Sequence, residues 1–356
     1  MLARFQGCIM KISNKQINRA GEIIRHGTDD EKEQAIELLN EWRSSHMLPL
    51  RNIWSIVDAR LKKLGITCTV GQRLKRMTSI IGKINRFPDM AVSKMQDVGG
   101  IRIIVPRITD VKLVHEALIR KAKHEAVLPP KDYIENPKQD GYRSLHQVFK
   151  YQNDQNEDLN NMRIEIQIRT RLQHAWATSV ETLGVIDRVA YKSGDGAEAN
   201  KRFFQIASAL FALRENCNVP GECRQSGRLD LISELKDIEH KQQILTKLKG
   251  LSVLKPSLSL TSSRDLFFVL LLASANQRDF SIRVIPFDDE DQAAIHYDTL
   301  ERKTRQDPVT SVVLVRSKNL HELKKAYPNY FLDTQNFVKT IENIISSEQD
   351  CGGSER

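Results

Sequence analysis

The sequence predicts an α+β protein, and three observations carry that expectation. The segment "NMRIEIQIRT" alternates strictly, with Ile164, Ile166 and Ile168 on one side and Arg163, Glu165, Gln167 and Arg169 on the other, the period of a half-buried strand. "DVGGIRIIVP" is a short β-branched run closed by Pro106 and followed by the helical "TDVKLVHEALIRKAK". "DDEKEQAIELLNEW" instead places Ala35, Ile36, Leu38, Leu39 and Trp42 at helical spacing. At 356 residues the chain is long enough for about two domains of roughly 150 residues each.

Taken in order, the first 70 residues read as helices, with Asp29 or Asp30 as the expected N-cap of the helix that carries Trp42. "GQRLKRMTSIIGKINRF" reads as one amphipathic helix. At about 100° per residue, Leu74, Met77, Ile80, Ile81 and Ile84 share one face, and Lys75, Arg76, Ser79 and Lys83 the opposite one. From Asp97 the pattern is strand, helix, loop, strand, ending in "SLHQVFKY". The strand around Glu165 follows, then the helices "RLQHAWATSVETLGVI" and "EANKRFFQIASALFALREN". Residues 228–250 form a charged helix ending at Gly250, and "LKPSLSLTSS" behind it reads as a linker. Beyond it, "LFFVLLLAS" and "FSIRVIPF" flank the polar "ANQRD" like a hairpin; a helix, the strand "SVVLVR" and a helical tail from Asn319 complete a small unit. The expected division is a helical region over 1–70, a core over 71–225, a helix and linker over 226–255 and a small C-terminal α+β accessory domain over 256–350.

The net charge is +9, and residues 1–89 hold 16 Lys or Arg against 9 Asp or Glu. Such an excess favours phosphate-bearing partners, although a solvated basic surface satisfies it equally. The five cysteines show no CxxC pairing and no His company suited to zinc, which fits reduced thiols in a cytoplasmic protein. No charged segment leading into an apolar core and a small-residue cleavage site opens the chain, so no signal peptide is expected. The longest apolar run, Leu266 to Ala273, is far short of the roughly 20 residues that span a bilayer, so no membrane association is expected.

A polar strand face of Arg, Glu, Gln and Arg is by itself the solvent side of a half-buried sheet. Asp97, at the mouth of another apolar strand, changes the reading. Two carboxylates held near one another on rigid strands can bind Mg²⁺ through oxygen, and that ion bridges nucleotide phosphates and neutralises charge as a phosphoryl group moves. Lys75, Arg76, Ser79 and Lys83, with Arg73 one turn earlier, suit a triphosphate; a solvated helix face has the same spacing. In "DYIENPKQDGYRSLHQV" a tyrosine face can stack on a base, Lys138 and Arg143 can meet phosphates, and Gly141 allows close backbone approach. The same loop also reads as an ordinary Pro and Asp-Gly turn, and His146 as a hydrogen-bonded core histidine.

From about Arg73 to Lys192 the sequence resembles the RelA/SpoT-type synthetase domain of the alarmone synthetases, with several motifs in the right order. "RLKRMTSIIGK" resembles the ATP-binding helix of that family, "DVGGIRIIV" its metal-aspartate strand, "DYIENPKQDGYRSLH" its acceptor-nucleotide loop and "EIQIRT" its catalytic-glutamate strand; "HAWATSVETLG" is similar to the helix that follows. The resemblance implies a mixed β-sheet with flanking helices, of the nucleotidyltransferase-like kind. It implies transfer of the β,γ-pyrophosphate of ATP to the 3′-hydroxyl of GDP or GTP, giving (p)ppGpp and AMP. Asp97 would bind Mg²⁺, Glu165 would help bind metal or activate the hydroxyl, and Tyr142 would stack on guanine. Arg73, Lys75, Arg76, Ser79 and Lys83 would handle ATP, and Lys138, His146, Gln167 and Arg169 the acceptor or the transferred group.

No His-Asp dipeptide occurs in the sequence, so the hydrolase of bifunctional family members is not expected, and the reading is a stand-alone synthetase. Many short members read Glu-His then Tyr-Lys after the Trp-containing helix; here Glu181 is followed by "TLGVIDRVAYKSGDG", with Tyr191 and Lys192 as the equivalents at altered spacing. "LKKAYPNYFLDTQNF" looks like an accessory element seen beside some synthetase domains. Two alternatives stay open: a toxin-like transferase acting on adenine nucleotides or tRNA 3′ ends, suited by the basic N-terminal half and needing a neutralising antitoxin, and a silent nucleotide- or RNA-binding regulator. The resemblance also leaves a homo-oligomer open.

Overall fold

Three helices open the described part of the chain: α1 (Asn14–His26), α2 (Asp29–Ser44) and α3 (Met47–Leu64). The computed structural model describes residues 12–120, 122–187, 189, 191, 196–250, 266–274, 280–304, 310–317, 319–328 and 334–347. Thr28, rather than Asp29 or Asp30, caps α2. Its hydroxyl accepts from the Glu31 amide, and the Glu31 carboxylate accepts from the Thr28 amide. This reciprocal pair satisfies two otherwise orphaned donors and leaves the two aspartates in the first turn, where the helix dipole favours them.

The single helix expected over 71–87 is divided into β1 (Thr69–Leu74) and α4 (Met77–Arg86). Pairing decides the outcome: β1 runs antiparallel to β2 (Gly99–Val105), from Thr69↔Ile104 to Leu74↔Gly99. Gly71 permits close packing here, since a Cβ would come within 2.6 Å of the Tyr327 ring. Buried Gln72 lies between Val70 and Leu74 and blurs the alternation that marks a strand. Within α4, Met77, Ile80 and Ile84 are buried against α1 and α2, as the helical part of the expectation requires.

The chain continues through α5 (Ile108–Ile119), β3 (Glu125–Asp132), β4 (Leu145–Lys150), β5 (Arg163–Thr170), α6 (Arg171–Asp187), α7 (Glu198–Arg214), α8 (Arg228–Gln242) and α9 (Ile244–Gly250). β3 was not expected from the sequence, because Pro129 and Pro130 interrupt it. It lies at the sheet edge, where missing N–H groups are tolerated, and its register shifts between Val127 and Lys131. The helix expected over 228–250 breaks at Gln243, which adopts φ 54° and closes α8 with a bond from its amide to the Glu239 carbonyl. The linker expected over 254–263 lies outside the described residues.

Then come β6 (Leu266–Ser274), β7 (Phe280–Phe287), α10 (Glu290–Thr304), β8 (Ser311–Ser317), α11 (Leu320–Ala326) and α12 (Gln335–Ser346), the order anticipated for the C-terminal unit. All eight described strands form one mixed sheet in the order β3-β4-β5-β2-β1-β8-β6-β7. Only β2 and β5 are parallel among the described strands. The unit read as an accessory domain over 256–350 thus contributes strands to the same sheet, with β8 beside β1 at Gln72↔Arg316 and Arg73↔Val315. α3 and α5 cover one face over Ile101, Ile103, Ile164, Ile166 and Ile168. α6 to α9 form a second core, joined by Phe337, Ile341 and Ile344 of α12. No described helix is long and apolar enough to cross a membrane.

Candidate active site

The strand pleat sorts the site. The isoleucines of β5 are fully buried under α3 and α5, which directs Glu165, Gln167 and Arg169 to the opposite face. Parallel pairing sets Gly100 beside Glu165 and Arg102 beside Gln167, while β1 sets Arg73 beside Gly100. Asp97 precedes β2 by two residues and so stands at the end of the strand beside Glu165. On this polar face, which taken alone reads as solvated, Glu165 is 7% exposed and Arg169 2%, while Arg163 and Gln167 are half-buried.

Asp97 accepts from Lys75 Nζ and from Lys83 Nζ, each at 2.8 Å, one carboxylate oxygen for each ammonium. Burial alone would raise the Asp97 carboxyl, but the two lysines hold it well below the usual carboxylate range. Burial also pulls the Lys75 ammonium below its ordinary value, against the attraction of Asp97, with Arg73 and Lys83 adding repulsion. Arg76 is the N-cap residue of α4, and Ser79 lies half-buried on its first turn. The sequence-predicted ATP groups are therefore gathered around the β1–α4 junction rather than along one helix.

Glu165 Oε1 meets His146 Nδ1 at 3.0 Å, and its Oε2 accepts from Gln167 Nε2 at 2.8 Å. Arg169 Nη2 donates to Gln167 Oε1 at 2.5 Å. Burial would raise the Glu165 carboxyl, and Asp97 raises it further, but His146 and Gln167 bring the balance below the ordinary value. The two carboxylates thus sense one another's charge. They are hard oxygen donors that suit a divalent cation, which would relieve that repulsion. Among the described residues no cluster of three or more His, Cys, Asp or Glu could hold a metal, so other ligands would have to come from substrate and water.

The loop between β3 and β4 faces this cluster. Asp132 Oδ1 accepts from the amides of Ile134 and Glu135, and Asp140 Oδ1 from that of Tyr142, side-chain turns that shape the loop locally. The Tyr142 hydroxyl meets His146 Nε2 at 2.8 Å. Its ring stands edge-on to Tyr133, with centroids 5.8 Å apart. Lys138 Nζ lies 4.7 Å from the Tyr133 centroid and 5.3 Å from that of Tyr142. Burial would depress the His146 imidazolium, but Tyr142 and Glu165 raise it to about 9. Tyr142, His146, Glu165, Gln167 and Arg169 accordingly form one chain of polar contacts.

Two expectations change. Arg143 does not reach the site: its guanidinium is 2% exposed and bonds away from it, to Glu215 at 2.8 Å and Ser208 at 3.2 Å. Adjacent residues in an extended loop point in opposite directions, so Tyr142 and Arg143 cannot both face the ligand. Gly141, at φ +93°, serves packing rather than ligand approach, since a Cβ would lie 3.0 Å from Ser208 Cβ and 3.1 Å from the Trp176 ring. Tyr191 is buried and bonds Asp187 and Asn200; Lys192 lies outside the described residues. The sequence reading missed Arg102, whose Nη1 donates to the Ala326 carbonyl at 3.0 Å and whose guanidinium lies over Tyr327. Burial, with repulsion from Arg169 and then Arg73 against attraction from Glu181, depresses it to about 10. An arginine between Ile101 and Ile103 was the available signal.

Residues 72–196 match the family model described as a region found in RelA / SpoT proteins. That segment, about a third of the chain, carries the RelA/SpoT region. The chain is 35% identical over 139 residues to the GTP pyrophosphokinase YjbM of Bacillus subtilis, covering 38% of this chain and 63% of that one. It is 34% identical over 113 residues to the GTP pyrophosphokinase YwaC of the same organism, covering 30% of this chain and 52% of that one. The chain thus spans less than two thirds of either relative. Among solved structures, it is 31% identical to the small alarmone synthetase 1 of Bacillus subtilis bound to its product pppGpp, covering 41% of this chain and 73% of that one with a TM-score of 0.34.

Proposed function

We propose that this chain transfers the β,γ-pyrophosphate of ATP to the 3′-hydroxyl of GDP or GTP, giving (p)ppGpp and AMP. The observation that carries the reading is the Asp97, Lys75 and Lys83 cluster beside Glu165, with Tyr142 joined to that carboxylate through His146. The relatives named GTP pyrophosphokinase support the same chemistry. Lys75, Lys83, Arg73, Arg76 and Ser79 would receive the triphosphate, the lysines exchanging Asp97 for phosphate oxygens. Tyr142 would stack on guanine, with Lys138, Gln167 and Arg169 beside the acceptor phosphates or the transferred group.

A ribose hydroxyl is a poor nucleophile and the triphosphate repels it, so the task is positioning and charge neutralisation. Glu165, kept ionised below its ordinary range, can take the hydroxyl proton, and His146 and Gln167 fix its orientation. Asp97 and Glu165 would hold Mg²⁺, which when bound neutralises negative charge on the phosphates. Work on ATP and guanine nucleotides fits the cytoplasm.

The test is a magnesium-dependent assay with γ-labelled ATP, offering GDP, GTP, ADP and bulk tRNA separately, with Asp97→Ala as control. Label on a guanine nucleotide, lost in the control, is the expected result. Label on ADP or tRNA alone would replace the guanine acceptor, and no transfer to any acceptor would overturn the reading.

A further inference from the structure

The loop that carries Tyr142 is clamped from behind by α7, all of which lies beyond the segment matched to the RelA/SpoT region. Ser208 Oγ donates to the Gly141 carbonyl at 2.6 Å and accepts from Arg143 Nε at 3.2 Å. Glu215, at the C-terminal end of α7, accepts from Arg143 Nη1 at 2.8 Å, from Gln173 Nε2 at 3.3 Å and from the Thr170 hydroxyl. Thr170 follows Arg169 at the end of β5, and Gln173 opens α6. One carboxylate, its side chain 9% exposed, therefore ties the residue after Tyr142 to the residue after Arg169. These are the backbone positions that fix the two ends of the chain of contacts running from Tyr142 through His146, Glu165 and Gln167 to Arg169.

The buried pair has a cost that packing alone would not require. Taking a guanidinium and a carboxylate out of water is unfavourable, and an apolar pair of similar volume often does as well for stability. What an apolar pair lacks is direction: the fork of Arg143 and the oxygens of Glu215 permit only a narrow set of loop positions.

We infer that Glu215, acting through Arg143 and together with Ser208, is a positioning residue for the acceptor nucleotide, setting where Tyr142 stands relative to Glu165. The inference rests on the reading of Tyr142 as the acceptor platform. It assigns nothing to the donor side, because Lys75, Lys83 and Asp97 make no contact with the clamp in the hydrogen bonds and ion pairs described above.

The experiment uses the full chain and four variants: Glu215→Gln, Glu215→Asp, Ser208→Ala and the double Arg143→Met, Glu215→Leu. Ser208→Ala removes two clamp contacts without leaving a buried charge unpaired, and the double variant removes the ion pair without leaving either charge unpaired, so both keep the test open if Glu215→Gln fails to fold. The expected result is a KM for the guanine acceptor raised on the order of 10- to 100-fold, the range that small misplacements of reacting groups produce. KM for ATP should stay within about twofold, and Glu215→Asp should recover part of the acceptor affinity. Equal changes in both KM values, or a fall in kcat alone, would overturn the inference and leave the clamp as ordinary core. If the wild-type chain transfers pyrophosphate to no acceptor, the functional reading fails. In that case hydrogen exchange over 138–144 decides the clamp by itself: faster exchange in Ser208→Ala and the double variant upholds it, and unchanged exchange rejects it.

Discussion

Asp97 already holds two ammonium groups, one on each oxygen, so positive charge is assembled at the site by the protein's own carboxylate. Its replacement by alanine is expected to abolish turnover while lowering the unfolding free energy by only about 1 kcal/mol, because the group is partly exposed and screened; denaturant midpoints beside the labelled-ATP assay check both halves. His46 makes a separate prediction. It is buried between α2 and α3, its Nδ1 donating to the Trp42 carbonyl, and burial, outweighing that bond, depresses its pKa from 6.5 to about 4. Between those values the unfolded chain binds more protons, so stability is full above about pH 6.5 and is lost as pH falls towards 4. The loss is about 3 kcal/mol, read as a fall in urea midpoint that a His46→Asn variant should flatten. At this scale the sequence disclosed chemistry better than direction. Tyr142 is joined to Glu165 through His146, and the charge of Asp97 acts on Glu165, whereas Arg143 beside Tyr142 was indistinguishable from a phosphate ligand until its neighbour's orientation was known.

Among the elements, β5 was legible because three isoleucines at period two leave no helical alternative; the reciprocal cap of α6 by Thr170 and Gln173 came from the structure. β1 was hidden because its outer face is defined by Gly71, a position whose requirement comes from Tyr327, more than 250 residues away. β3 was hidden by prolines that only an edge strand tolerates. The loop before β4 depends on Gly141 in the same way: Gly141→Ala combines a left-handed backbone with close contacts to Ser208 and Trp176, and should lower stability by roughly 1–3 kcal/mol. A drop in melting temperature together with weaker acceptor binding would bear that out; an unchanged melting temperature would refute it.

Across the whole molecule, the N-terminal helices and helix α10 of the C-terminal unit meet around one buried arginine. Arg43 of α2 bonds the Tyr297 hydroxyl at 2.6 Å and Glu301 at 2.7 Å, both on α10, and Glu301 also accepts from the Met77 amide that begins α4. Glu301→Ala leaves this guanidinium without its closest carboxylate and should cost about 3–5 kcal/mol of unfolding free energy. Glu301→Ala unfolding at the wild-type denaturant midpoint would show that the network adds nothing. The hairpin of β6 and β7 was readable from its composition, but its attachment was not, since nothing in "SVVLVR" specifies β1 as a neighbour. That attachment orders events at the ribosome. The side of β1 that receives β8 has no partner until residue 317 has been made, on the order of 10–40 s after β2 is complete at ordinary elongation rates. Until then the nascent chain carries a bare strand edge beside Lys75 and Asp97, a surface open to mispairing with a second chain on the same message.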